Sequence, residues 1–128
     1  MERKMVLTAL LFGVIAIVLG AFGAHALKKV LSTEQLIAFE TGVKYQMYHT
    51  LFLLFVGTTT LVTEKAKRTI LYLVVLGVLF FSGSIYLLAT NDLTSIDFRA
   101  IGFITPIGGL FLIGAWLFTF IAVINNKR

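Results

Sequence analysis

Two histidines, His25 and His49, are the imidazoles of this 128-residue sequence, and cysteine is absent. Neutral imidazole binds haem and metals, so the chemistry the pair offers is a haem or metal held between two helices. Neither histidine has a carboxylate or thiol at ligand spacing. No cofactor and no metal site are therefore expected, with haem through His25 and His49 as the redox alternative. Ser82 or Ser84 with a histidine gives two members of a nucleophilic triad by residue type, but no local spacing supports it, and no catalytic residue is assigned. Glu40 and Lys44 are four apart with the acid first, the favoured order for a helical ion pair. The reading adopted is an interfacial pair with Lys44 snorkelling outward. Without cysteine, disulfides, thiol redox chemistry and thiolate sites are excluded.

The elements that carry these residues follow from composition. The sequence is 59% hydrophobic and 13% charged, too few polar groups to coat a soluble globule. Apolar runs of about 20 residues, the helical length that crosses a hydrocarbon core, recur at about 5–24, 43–62, 69–89 and 100–124. Helices satisfy their own backbone groups in lipid, and four strands of this length could not close a barrel. The expected fold is an all-α integral membrane four-helix bundle, residues 1–128 forming a single transmembrane domain. Arg3, Lys4, the first apolar run and Ala24-His25-Ala26 also fit a signal peptide superficially. That run is longer than a signal core and more spans follow, so it is read as a span.

Ser32 and Gln35 make a possible capping box. Leu36, Phe39 and Val43 share a helical face, so the stretch before the second span is expected as an interfacial amphipathic segment. Glu64 to Arg68 is a tight helical connection, and Asn91 to Ser95 is turn-rich. Pro106, the sole proline, is expected to interrupt and kink the fourth span, freeing carbonyls near Gly102.

Basic residues give orientation. Arg3, Lys4, Lys65, Lys67, Arg68, Lys127 and Arg128 fall on one side, against Lys28, Lys29, Lys44 and Arg99 on the other. The positive-inside rule places both termini in the cytoplasm. The net charge of +5 is thus a topology signal and not a nucleic-acid surface. Gly13 and Gly77, Gly20 and Ser84, and Thr41 and Thr105 are each 64 residues apart, a faint sign of duplicated hairpins.

Combining orientation with depth gathers the non-aliphatic residues in the outer half. They are His25; Glu40, Lys44, Tyr45, Gln46, Tyr48 and His49; Ser82, Ser84 and Tyr86; and Thr105. Polar groups at membrane depth are costly unless they share an interior or a wet cavity, so these form a candidate ligand-binding cluster. Their plainer roles are cross-helix hydrogen bonds for the serines and an interfacial belt for the tyrosines. Ala16, Gly20, Gly23, Ala24, Gly83, Gly108 and Gly109 are read as close-packing positions, with Pro106 beside them.

The runs GAFGAH (20–25), YQMYH (45–49), SGSIY (82–86) and TPIGG (105–109) resemble the domain-of-unknown-function 423 family, small four-span bacterial membrane proteins with a vertebrate relative, transmembrane protein 256. The resemblance covers essentially the whole chain, with the motifs in family order. It implies a multi-pass protein of the bacterial plasma membrane and brings no activity, substrate or catalytic residues. The leading functional expectation is binding or transport of a small molecule, ion or lipid at the outward polar cluster. The alternative is a non-catalytic accessory subunit or assembly factor of a larger membrane complex; the third is a histidine-based redox protein. Expected partners are the lipid bilayer and either a homo-oligomer or a larger membrane protein, with no nucleic acid.

Overall fold

Ser32 opens the longest helix. Its hydroxyl accepts from the Gln35 backbone N–H at 3.1 Å while the Gln35 side-chain oxygen accepts from the Ser32 N–H at 2.9 Å, so two donors left without helical partners are satisfied at once. The computed structural model describes residues 1–126; Lys127 and Arg128, counted among the bases above, lie outside the described residues. α1 (Glu2–His25) leads through a 3-10 turn, Leu27–Lys29, to α2 (Thr33–Thr58). Thr63 then caps α3 (Glu64–Val78) by accepting from the Ala66 N–H. A single π-helical turn, Leu79–Gly83, joins α3 to α4 (Ser84–Ala89), and the three make one rod of 26 residues. Short 3-10 turns at Asn91–Leu93 and Arg99–Ile101 precede α5 (Ile104–Asn125). Among the described residues there is no strand.

Three helical rods, Glu2–Lys29, Glu64–Ala89 and Arg99–Asn125, are long and apolar enough to cross a membrane. α2 matches them in length, at 26 residues, but Glu40, Lys44, Gln46 and His49 make it more polar. It runs without a break through the stretch before residue 43. The apolar face there is turned toward protein: Phe39 is buried with Leu27, Leu31 and Ala89, and Leu36 and Val43 pack against that group.

The exterior is oily and the interior finely packed. Ile17 and Leu110 are 65% and 68% exposed, whereas Met5, Ala9, Leu53, Val56, Ile70, Val74 and Ala115 are fully buried. This is the distribution of a protein whose solvent is lipid, where helices associate through close van der Waals packing.

The principal seams are α1 along α2 and α3 along α5, joined by contact of α2 with α3, the π turn and α4. No extended backbone seam joins α2 to α5. Small residues set the crossings. On α1, Ala9, Gly13, Ala16 and Gly23 are buried; a Cβ on Gly13 would meet Thr50, on Gly20 Val43, and on Gly23 Phe39. On the other hairpin Gly77 sits against Leu112, and Gly108 against the backbone of Phe80 and Phe81.

Some positions read from sequence as packing sites stand apart from these crossings. Ala24 is exposed, and nothing lies within 4 Å of a Cβ at Gly83. Gly109 makes only ordinary contact with the Phe81 ring. Pro106 falls in the first turn of α5, where its missing N–H removes no helical bond. It lies where the 3-10 turn Arg99–Ile101 gives way to α5.

Candidate functional site

The polar residues separate into two groups by the face they occupy. The first is a set of bonds within the bundle. Gln46, 4% exposed, donates through Nε2 to the Phe12 carbonyl of α1 at 2.8 Å and accepts at Oε1 from the Tyr86 hydroxyl of α4 at 2.7 Å. Tyr86 is held in place by Phe39, ring centroids 5.1 Å apart, and by the gap at Gly42, where a Cβ would stand 2.7 Å from the Tyr86 ring. Ser82, in the π turn, donates to the Gly42 carbonyl at 2.7 Å. Ser84 and Thr105 hydroxyls bond each other at 2.6 Å across α4 and α5. Every buried side-chain nitrogen or oxygen among the described residues has a partner. These groups fasten helices to one another, satisfying polar atoms that lipid could not.

The second group faces a cleft between α2 and α5, whose two halves meet at Trp116. The half beside Tyr45, His49, Phe81 and Gly109 has a volume of about 490 Å³. The half beside Tyr48, Phe52, Phe55 and Phe120 has a volume of about 560 Å³. Both fall in the range of small-molecule sites, about 300–1,000 Å³. Trp116 is half-exposed, stacks on Phe52 with centroids 4.3 Å apart, and donates its indole N–H to His49 Nε2 at 3.0 Å. Indole nitrogen is a donor only. His49 Nε2 therefore accepts, and Nδ1 carries the hydrogen that goes to the Tyr45 carbonyl at 2.6 Å. The imidazole is the neutral Nδ1–H tautomer with both nitrogens engaged.

His25 is exposed at the end of α1. α1 and α2 run side by side with Gly23 against Phe39, so His49, ten residues beyond Phe39, lies about 15 Å deeper. The two imidazoles are not brought together. Ser82 and Ser84 donate to backbone carbonyls of Gly42 and Phe80 and bond neither histidine. No group of three or more His, Cys, Asp or Glu among the described residues could hold a metal. Glu40 and Lys44 are exposed and form no ion pair with each other; the ion pairs among the described residues are Met1–Glu64, Lys67–Glu64 and Arg99–Asp97.

The ends of the bundle are tied separately. Buried Lys67 donates to the Gly57 carbonyl at 3.1 Å, capping the C-terminal end of α2 with a cation, the sign its dipole favours. Asn126 donates to the Leu61 carbonyl at 2.6 Å. At the opposite end Gln35 donates to Asp92 at 2.9 Å, and the Arg99 guanidinium beside Asp97 lowers that carboxyl to about 2. The latter pair is fully exposed, so it orders the loop and adds little to stability.

Sequence reasoning missed Trp116. A lone tryptophan well inside an apolar run, away from the interfacial level where tryptophan is common, carries an N–H that needs a partner. That is the signal it offered.

The sequence matches a family described as proteins of unknown function, DUF423, over residues 19–109. A UPF0382 membrane protein of Staphylococcus haemolyticus is 44% identical over 103 residues, covering 80% of each chain. A UPF0382 membrane protein of Haemophilus influenzae is 40% identical, covering 91% of this chain and 90% of its own. The UPF0382 inner membrane protein YgdD of Escherichia coli is 33% identical, covering 99% and 94%. No solved structure matches.

Proposed function

The chain belongs to the DUF423 family, and from that premise we propose that it is a four-pass membrane protein that binds a lipid or lipid-soluble small molecule in the cleft between α2 and α5. The observation carrying this reading is the division of labour among the polar residues. Those inside the bundle are spent on one another, and the open volume lies where Trp116 and His49 bridge two helices that otherwise stand apart. A site entered from the hydrocarbon phase favours an apolar ligand. The paired interior polar groups offer an ion no chain of free ligands, so binding is favoured over transport along the bundle axis.

α2 is the remaining pass, with Gln46 turned to α1 and α4, His49 turned to the cleft, and its first turns, which carry exposed Glu40 and Lys44, at the interface. Both termini are read as cytoplasmic because Arg3, Lys4, Lys65 and Arg68 gather at the end where Met1 pairs with Glu64. Since the chain lacks cysteine, single cysteines at Lys65 and Ser95 test this. An impermeant thiol reagent applied to intact cells should label position 95 alone; labelling of position 65 instead would reverse the orientation.

Binding is tested by releasing the protein from nanodiscs and counting retained lipid by native mass spectrometry. A side chain at Gly109 enters the cleft against the Phe81 ring without meeting backbone. The wild type should retain one lipid-like molecule per chain and Gly109→Phe none. Equal retention by both, or none by either, would refute the cleft as the site. Recovery of a cross-linked partner helix from position 48 or 116 would move the reading to an accessory subunit.

A further inference from the structure

The geometry points to a ligand class, resting on the cleft reading above: a phospholipid with a phosphoethanolamine head, one acyl chain in the α2–α5 cleft, its phosphate on Lys44 and its ammonium on Glu40. Two side chains near the outer end of α2 are left unused by the bundle. Glu40 and Lys44 are exposed, and neither belongs to an ion pair among the described residues, although their order and spacing suit one.

Their position relative to the cleft is fixed by helical periodicity. Lys44, Tyr48, Leu51 and Phe55 follow i, i+4, i+7, i+11 and form one stripe of α2. Tyr48, Leu51 and Phe55 line the cleft. Lys44 is therefore the next group outward on its rim, about 6 Å beyond Tyr48, and Glu40 stands about 6 Å beyond Lys44. Read outward, the rim is apolar, then cationic, then anionic.

A phosphoethanolamine lipid has the complementary order: acyl chain, anionic phosphate, cationic ammonium. Phosphate accepts from the Lys44 ammonium, and the lipid's primary ammonium donates to the Glu40 carboxylate, both charge-assisted bonds. Lys44 has the reach to lift its charge to the phosphate level while its methylenes stay in the apolar zone. A phosphoglycerol head or a fatty acid would satisfy Lys44 and set no cation against Glu40. A choline head brings the positive charge without an N–H to donate. The cleft suits the tail as well. Trp116 and Ile124, the outermost and innermost positions of α5 in the half that Tyr48, Leu51 and Phe55 line, are about 12 Å apart along the helix, close to one leaflet's hydrocarbon of about 15 Å.

Trp116 is the sole tryptophan and lies in the cleft, so its fluorescence reads occupancy. The full chain is reconstituted in phosphatidylcholine vesicles, and lipids with dibrominated acyl chains and ethanolamine, glycerol or choline heads are added at rising mole fraction. The ethanolamine lipid should quench saturably, reaching half effect at about fivefold lower mole fraction than the other two, the order of one interfacial ion pair. Glu40→Gln, at an exposed position, should remove that preference and leave quenching by the choline lipid unchanged, whereas Lys44→Gln, which loses the partner of a phosphate common to all three heads, should reduce quenching by all three alike. Identical curves for the three heads, preference for the glycerol head, or a preference that survives Glu40→Gln overturns the headgroup assignment. Gly109→Phe separates the premise: curves that are linear for every lipid and unaltered by that substitution overturn the cleft reading itself.

Discussion

At the scale of single residues, the hydrogen bond between Trp116 and His49 is the contact with most to reveal. It leaves the imidazole neutral and both its nitrogens occupied, and with the Phe52 stack it bridges α2 to α5. The two halves of the bond are unequal when removed. Trp116→Phe keeps an aromatic ring on Phe52 but leaves Nε2 of the buried His49 without its donor, and should cost about 1–2 kcal/mol. His49→Ala strands the indole N–H and also empties the space of a buried ring packed on Phe52 and Trp116, and should cost more, about 3 kcal/mol. Unfolding in mixed micelles measures both, and a larger loss for Trp116→Phe would contradict this assignment. The run Tyr45 to His49 reads as one polar patch because depth follows from position along a helix. Direction does not, since adjacent residues differ by about 100° around the axis. Gln46 turns to α1 and α4, whereas Tyr45, Tyr48 and His49 turn to the cleft.

At the scale of elements, the helices were legible wherever local chemistry dictates them. Ser32 and Gln35 announce the start of α2, and the apolar runs announce the rods. The π turn at Leu79–Gly83 has no such sign, because nothing in Leu-Phe-Phe-Ser-Gly demands an extra residue per turn. Its cause is tertiary: it lies where Gly108 of α5 meets the Phe80–Phe81 backbone and where Ser82 reaches Gly42. The same contact separates two glycines that look alike in sequence. A methyl at Gly108 would overlap backbone that cannot move aside, whereas nothing lies within 4 Å of one at Gly114. Gly108→Ala should therefore destabilise by about 1–3 kcal/mol, and Gly114→Ala should stabilise by up to about 1 kcal/mol through helix propensity. Thermal unfolding in one detergent compares them. Equal effects would mean that α5 does not approach the π turn so closely.

At the scale of the whole molecule, the cleft follows from how two hairpins meet. α1 lies along α2 and α3 along α5, and the pairs join through α2 against the α3–α4 rod, leaving α2 and α5 without a backbone seam. The 64-residue offset has a partial counterpart here. Gly13 sits at the α1–α2 crossing against Thr50, and Gly77 at the α3–α5 crossing against Leu112. Thr41 and Thr105 differ, the first bonded within its own helix and the second to Ser84. Membrane class and the family were readable from composition and motifs. The cleft was not, because it is a gap between elements and no residue type encodes a missing contact. The most direct test of its occupancy is a set of intermolecular nuclear Overhauser effects, recorded on the chain in deuterated detergent with one equivalent of phospholipid bearing protonated acyl chains. The account predicts cross-peaks from acyl methylenes to Trp116, Phe52 and Gly109 and none to outward residues of α1 such as Leu11 and Ile17. Cross-peaks spread evenly over α1 and α5, or absent from Trp116, would contradict it.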